Sequence, residues 1–124
     1  MFIRKYLFTF SLLPNLAQDI VIKSTSEPDQ LGRLASHIST CYQELAADAK
    51  SASSGMGNAD IGTRIRNSVK ELGNSTIELI KATGSCQMSP QDSFALRDVS
   101  ENARSVGEKV NINTTYTKVI HTAL

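Results

Sequence analysis

Apolar residues recur at steps of three and four along most of this chain, and that spacing is typical of one face of an α-helix. A short first stripe holds Leu16 and Ile20 ahead of Lys23. The second contains Leu31, Leu34, Ala35, Ile38, Cys41, Tyr42, Leu45 and Ala49. The third contains Ile61, Ile65, Val69, Leu72, Thr76, Leu79 and Ile80, and the fourth contains Ala95, Val99, Ala103, Val106 and Val110. The pattern predicts the end of one helix and three helices after it.

Two of these helices are preceded by residues that are typical of helix starts. Ser26 stands ahead of Pro28 and Asp29, which predicts a serine N-cap with proline and a carboxylate in the first turn. The segment Ser89-Pro-Gln-Asp92 predicts a second serine N-cap in the same way, with proline at the first helical position.

The helix ends are predicted from breaker residues. The second helix should end near Ser51, because the Gly-rich residues 53–58 favour a flexible connection. Asp60 is a candidate cap for the third helix, which should run through Thr83 and end at Gly84.

Gly62 and Gly73 lie inside the third helix, where each costs about 1 kcal/mol of helix propensity relative to alanine. Such a cost is tolerated where packing compensates or where a neighbouring helix must approach closely. We therefore expect a neighbouring helix to pack closely against the third helix at these two glycines.

One-sided helices joined by short connections predict an all-α fold, an up-and-down antiparallel helix bundle. Residues 14–110 form this bundle in our interpretation, with part of helix 1 followed by helices 2–4. Residues 1–13 are assigned to an atypical N-terminal extension. Residues 111–124 are rich in Thr, Asn and β-branched side chains, which favour strand or coil, so they are assigned to an irregular tail.

Size and charge limit the possible partners. The 124 residues allow one modest core. The 13 basic and 12 acidic side chains are spread along the chain, so no basic surface for nucleic acid or for anionic lipid is indicated.

The residues that could carry chemistry are scattered. Cys41 and Cys86 have no zinc-type spacing and are expected to be reduced thiols, Cys41 on an apolar stripe and Cys86 in a turn. Neither His37 nor His121 has a nucleophile and a carboxylate at catalytic spacing. We therefore predict a non-enzymatic protein with no catalytic residues, no metal site and no cofactor.

The first thirteen residues have a basic start and a short apolar run, which is the outline of a signal peptide. The run is too short to span a bilayer, and the small-x-small cleavage pattern is missing. One alternative function is accordingly a small secreted helical protein. The other interpretation of these residues is a helical or misassigned N-terminal extension.

Three segments resemble consecutive stretches of the talin rod, in order and in spacing. They are IGTRIRNSVKELG at 61–73, GSCQMSP at 84–90 and SENARSVGEKV at 100–110. Residues 16–32 and 45–50 resemble the two preceding helices of the same rod bundle. The resemblance covers residues 16–110 and implies a cytoskeletal adaptor that is cytoplasmic and lies at cell-adhesion sites. Integrin and actin would be reached through the full-length parent.

In that family the matching region is a five-helix bundle that docks on the talin head and masks its integrin site. The resemblance places Glu71 where the family has an acid that pairs with a head lysine, and Glu101 and Glu108 where it has further acids. Because residues 1–13 replace part of the first helix and no fifth helix follows, the resemblance also implies an incomplete bundle.

Two alternatives concern these same helices. The exposed glutamates are also explained by local pairing with Lys70, Lys81, Arg104 and Lys109. Residues 69–82 approximate an amphipathic helix that could leave the bundle and insert into a groove of vinculin, although a core helix has the same pattern.

Overall fold

The computed structural model describes the backbone of residues 2–54 and 59–123, and the side chains of residues 12–51, 54, 60 and 62–111. Within these ranges the chain forms four α-helices and no strand: α1 (Phe2–Ser26), α2 (Leu31–Ser54), α3 (Ala59–Met88) and α4 (Ser93–Ala123). A 3₁₀ turn, Pro28–Gln30, precedes α2. The predicted all-α class is confirmed.

The helices form a ring in which each packs against two neighbours. Successive helices are in contact, and α4 returns to pack against α1, whereas α1 and α3 are diagonal and touch little. Neighbours run in opposite directions: Glu71 and Ser75 of α3 meet Lys109 and Ser105 of α4 in reverse order. The predicted up-and-down helix bundle is therefore confirmed.

One apolar core runs along the axis of the ring. It takes one face of every helix, which is why each sequence carries a single stripe. Its fully buried large side chains are Leu13, Ile20, Leu31, Ile38, Leu45, Ile65, Leu72, Leu79, Val99 and Val106.

The first helix is longer than the fragment expected. It begins at Phe2 and passes without interruption through Pro14, which lies inside the helix, and Leu13 is fully buried in the shared core. Proline removes one helical hydrogen bond and strains the preceding turn, so the buried Leu13, Leu16 and Ile20 stabilise a helix that is weak by itself. The predicted boundary between residues 13 and 14 falls within this helix.

The predicted serine N-cap at Ser26 is wrong. The Ser26 hydroxyl donates to the Ile22 carbonyl, and so belongs to the end of α1. The 3₁₀ turn instead begins after Glu27, which has no side-chain capping bond and pairs with Lys23. That hydrogen bond from Lys23 lowers the pKa of the Glu27 carboxyl.

The third helix does not end at Gly84 as predicted. It continues to Met88, and Cys86 is not in a turn but fully buried in the core. Cys86 lies seven residues after Leu79 and extends the same buried face, so its burial outweighs the propensity cost of one glycine, about 1 kcal/mol.

The predicted break at 53–58 is also displaced, since α2 reaches Ser54; residues 55–58 lie outside the described part of the chain.

The fourth helix is capped by Asp92 and not by Ser89. The Phe94 N–H donates to Asp92 Oδ1 at 2.9 Å, while the Asp92 N–H donates to the Ser89 carbonyl at 3.1 Å and closes a turn. The SPQD segment is therefore a connection that ends in a cap. An aspartate satisfies the orphan N–H groups of the first turn as well as serine does.

The irregular tail predicted from residue 111 is wrong for residues 111–123, because α4 continues to Ala123. Each Thr, Asn or β-branched residue disfavours helix by only about 0.7 kcal/mol or less. A helix already formed up to Val110 gains one hydrogen bond for each residue added, and extension needs no new nucleus. Leu124 lies outside the described residues.

Candidate partner-binding surfaces

The third helix has a single apolar face that is used entirely by the core. Most of its buried side chains follow steps of four and three: Ile65, Val69, Leu72, Thr76, Leu79, Thr83 and Cys86. The small residues Gly62, Gly73 and Ala82 are buried beside this row. Ile61, the first residue of the predicted stripe, lies outside the described side chains. A helix with this spacing fits either the centre of a bundle or an apolar groove of another protein.

Two hydroxyls interrupt this apolar face. Thr76 Oγ1 donates to the Leu72 carbonyl at 2.9 Å, and Thr83 Oγ1 donates to the Leu79 carbonyl at 2.7 Å. The hydroxyls are satisfied within α3 itself, so they make no bond to another helix. Each therefore contributes less to holding α3 in the bundle than an apolar side chain of the same size.

Tyr42 of α2 packs directly on the backbone of α3. Its hydroxyl donates to the Val69 carbonyl at 2.8 Å, and its ring lies against the buried Gly73. A Cβ at position 73 would stand only 2.7 Å from Tyr42 Cζ, which confirms the close approach predicted for this glycine. Burial raises the pKa of the Tyr42 hydroxyl above its ordinary value.

The three glutamates implied by the talin resemblance lie on the exposed side of α3 and α4. Their side chains are 66% exposed for Glu71, 55% for Glu101 and 67% for Glu108. The structure brings them to adjoining surfaces, since Glu71 reaches across the seam between the two helices to Lys109, with 3.5 Å between Oε2 and Nζ.

Each of these carboxylates has a basic partner. Glu101 pairs with Arg97 at 3.2 Å, and Glu108 pairs with Arg104 at 3.9 Å. The exposed charges along α4 thus alternate in sign. In the chain without a partner, these glutamates are paired with nearby basic side chains. Exposed pairs of this kind contribute about 0.2–1 kcal/mol, so they exchange readily for other partners.

A groove of about 430 Å³ lies along the contact between α1 and α4. Small or apolar residues line part of it, namely Pro14, Ala17, Val21, Ala103 and Gly107, and the rest of the lining is polar, namely Gln18, Ser100, Arg104, Glu108 and Asn111. The helical periodicity does not predict this groove. The signal is the small side chains that both helices place at their contact.

Both cysteines are buried reduced thiols on core faces, Cys41 in α2 and Cys86 in α3. Burial raises the pKa of each thiol, which reduces the fraction of reactive thiolate.

Within the described residues no group of three or more His, Cys, Asp or Glu is placed to hold a metal ion. No helix in that part of the chain combines the length and apolarity needed to cross a membrane.

The fold defines a class, that of antiparallel α-helical bundles. Residues 11–118 match the Vinculin Binding Site family, so the chain belongs to that family. Over 94 residues it is 40% identical to Talin-1 of Gallus gallus, with 76% of this chain covered. It is 38% identical over 96 residues to Talin-2 of Homo sapiens and 33% identical over 95 residues to Talin of Oscarella pearsei, each covering 77% of the chain.

The chain spans about 4% of the length of each of these relatives. The resemblance to the talin rod is confirmed.

We expect Thr76→Val to raise the free energy of unfolding by about 1 kcal/mol, because a methyl group then replaces a buried hydroxyl that bonds only within its own helix. Urea unfolding followed by circular dichroism measures this change. The exposed Thr63 of the same helix is the matched control, and Thr63→Val should change the stability by less than about 0.5 kcal/mol. A loss of stability in Thr76→Val would mean that the hydroxyl supports the core.

Proposed function

We propose that this chain is a non-enzymatic docking module whose third helix is captured by vinculin after α3 leaves the bundle. The observation that carries the proposal is the continuous buried face of α3, from Ile65 to Cys86. Membership of the Vinculin Binding Site family supports vinculin as the partner.

The proposed binding competes with the bundle. An amphipathic helix enters a partner's groove with the same face that it uses in a core. Because that face of α3 is buried, only the fraction of molecules in which α3 has opened can bind, and the apparent affinity is reduced by that fraction. The closed bundle therefore lowers the apparent affinity for vinculin.

Two features of α3 should make it easier to release than a helix whose buried face is wholly apolar. It carries two buried threonines, and Gly73 and Gly84 both lie within it. The hydroxyls of Thr76 and Thr83 bond within α3, so these two positions hold α3 in the bundle less strongly than apolar side chains would. Each glycine costs about 1 kcal/mol of helix propensity relative to alanine.

The role in a longer protein follows as part of the same proposal. If the chain functions within a talin-like parent, integrin and actin are bound by other parts of that parent, and the bundle works in the cytoplasm at cytoskeletal adhesion sites. In the relatives, the matching region makes up about 4% of the chain.

A peptide of residues 59–88 should bind purified vinculin and become helical, as measured by calorimetry and circular dichroism. Leu79→Ala in this peptide should weaken binding by about tenfold or more, since Leu79 belongs to the buried face. Ile77→Ala is the control, because Ile77 is exposed on the other side of the helix. Absence of binding, or equal losses for the two variants, would contradict the proposal.

A second candidate function is docking on the talin head through the acidic side chains of α3 and α4. It is favoured by the outward position of Glu101 and Glu108, which are seven residues apart and so lie on one face about two turns apart. Glu71 lies at the adjoining seam. A basic partner would exchange the local ion pairs for contacts across the interface, and complementary charge would set the orientation of docking.

For this second candidate, Glu71→Lys should weaken binding of the bundle to the talin head, because it reverses a charge at the proposed interface. Surface plasmon resonance with immobilised talin head measures the change. Glu44→Lys on the exposed side of α2 makes the same charge change away from the surface. Unchanged affinity for Glu71→Lys, or an equal loss for both variants, would exclude Glu71 from the interface.

A further inference from the structure

The contact between Tyr42 and Gly73 joins two features that are each unfavourable alone. Gly73 lies in the middle of α3, where a glycine lowers helix propensity. Tyr42 places a polar hydroxyl at a half-buried position between α2 and α3, where it needs a hydrogen-bond partner. Each feature is compensated by the other element, since the ring fills the space over the glycine and the α3 backbone accepts the hydroxyl proton.

The bond is made to the main chain of α3. The Val69 carbonyl that accepts from Tyr42 belongs to the same turn as Gly73, so ring and hydroxyl hold one point of the helix. The point is central: Val69 and Gly73 lie between Ile65 and Leu79 on the face that the bundle buries. Separation of α3 from α2 must break this contact.

We propose that Tyr42 and Gly73 form a latch that sets how easily α3 is released from the bundle. This inference rests on the proposed function for its consequence, vinculin binding, while the latch itself is a property of the isolated bundle. Loss of the latch opens the seam between α2 and α3, and the opposite side of the ring, between α1 and α4, stays closed.

The first variant is Tyr42→Phe, which removes the hydroxyl and keeps the ring. The amides of α3 should exchange with deuterium about two- to tenfold faster in the full chain, which is the effect of one lost hydrogen bond on a local opening equilibrium. The apparent affinity for purified vinculin should rise by the same factor, because the open fraction rises.

The control is Ala17→Gly, in the helix diagonal to α3. Ala17 is buried and lines the groove between α1 and α4, so this change weakens the bundle away from the latch. Urea is added to the more stable of the two variants until both have lost the same unfolding free energy, and their α3 exchange rates are then compared. Faster α3 exchange in Tyr42→Phe than in Ala17→Gly supports the latch, and equal exchange overturns it.

The second variant tests the glycine. Gly73→Ala should speed α3 exchange in the chain with Tyr42, since the new Cβ would overlap the ring. In a Tyr42→Ala background the same substitution should slow the exchange, because the space is open and alanine favours helix. The same effect of Gly73→Ala in both backgrounds would overturn the coupling between the two residues.

Failure of the latch and failure of the proposed function give different results. Exchange in the absence of vinculin tests the latch alone, and binding of the 59–88 peptide tests the proposed function alone. A latch confirmed by exchange together with a peptide that does not bind would retain the latch and reject vinculin capture.

Discussion

The apolar face of α3 can contact only one surface at a time, and the bundle already occupies it. Val69, Leu72 and Leu79 are buried in the core of the bundle, so no partner can contact them while the ring is closed. Fully burying one such side chain stabilises the bundle by about 1.5–3 kcal/mol. The same residues therefore determine both the stability of the fold and the free energy that a competing partner has to replace.

The apolar spacing was sufficient to predict the class of the fold, because each helix of a bundle around one core needs one buried face. Ile38 and Val99 lie at positions that the period identifies, and both are fully buried. The helix ends were harder, since they depend on small local preferences. Gly84 and the residues after Val110 have low helix propensity, yet α3 and α4 continue through them, because neighbouring buried residues and a helix already formed outweigh such preferences.

The candidate surfaces divide in the same way. The stripe of α3 and the exposed positions of Glu101 and Glu108 follow from the helical period and could be predicted. The Glu71–Lys109 pair, the groove between α1 and α4 and the packing of Tyr42 on Gly73 depend on how neighbouring helices are placed along each other. A sequence period gives the face of each helix and says nothing about that offset, so these contacts required the structure.

The measurement that tests competition for α3 most directly is the alkylation rate of Cys41 in the full chain, followed by mass spectrometry with and without saturating vinculin. Cys41 lies on the core face of α2, is 5% exposed, and has a thiol pKa raised by burial, so it should react slowly in the closed bundle. If vinculin captures α3, the core opens and the rate should rise towards that of the chain unfolded in urea. Bound vinculin with Cys41 still protected would show that the partner docks on the closed bundle, and would contradict the account.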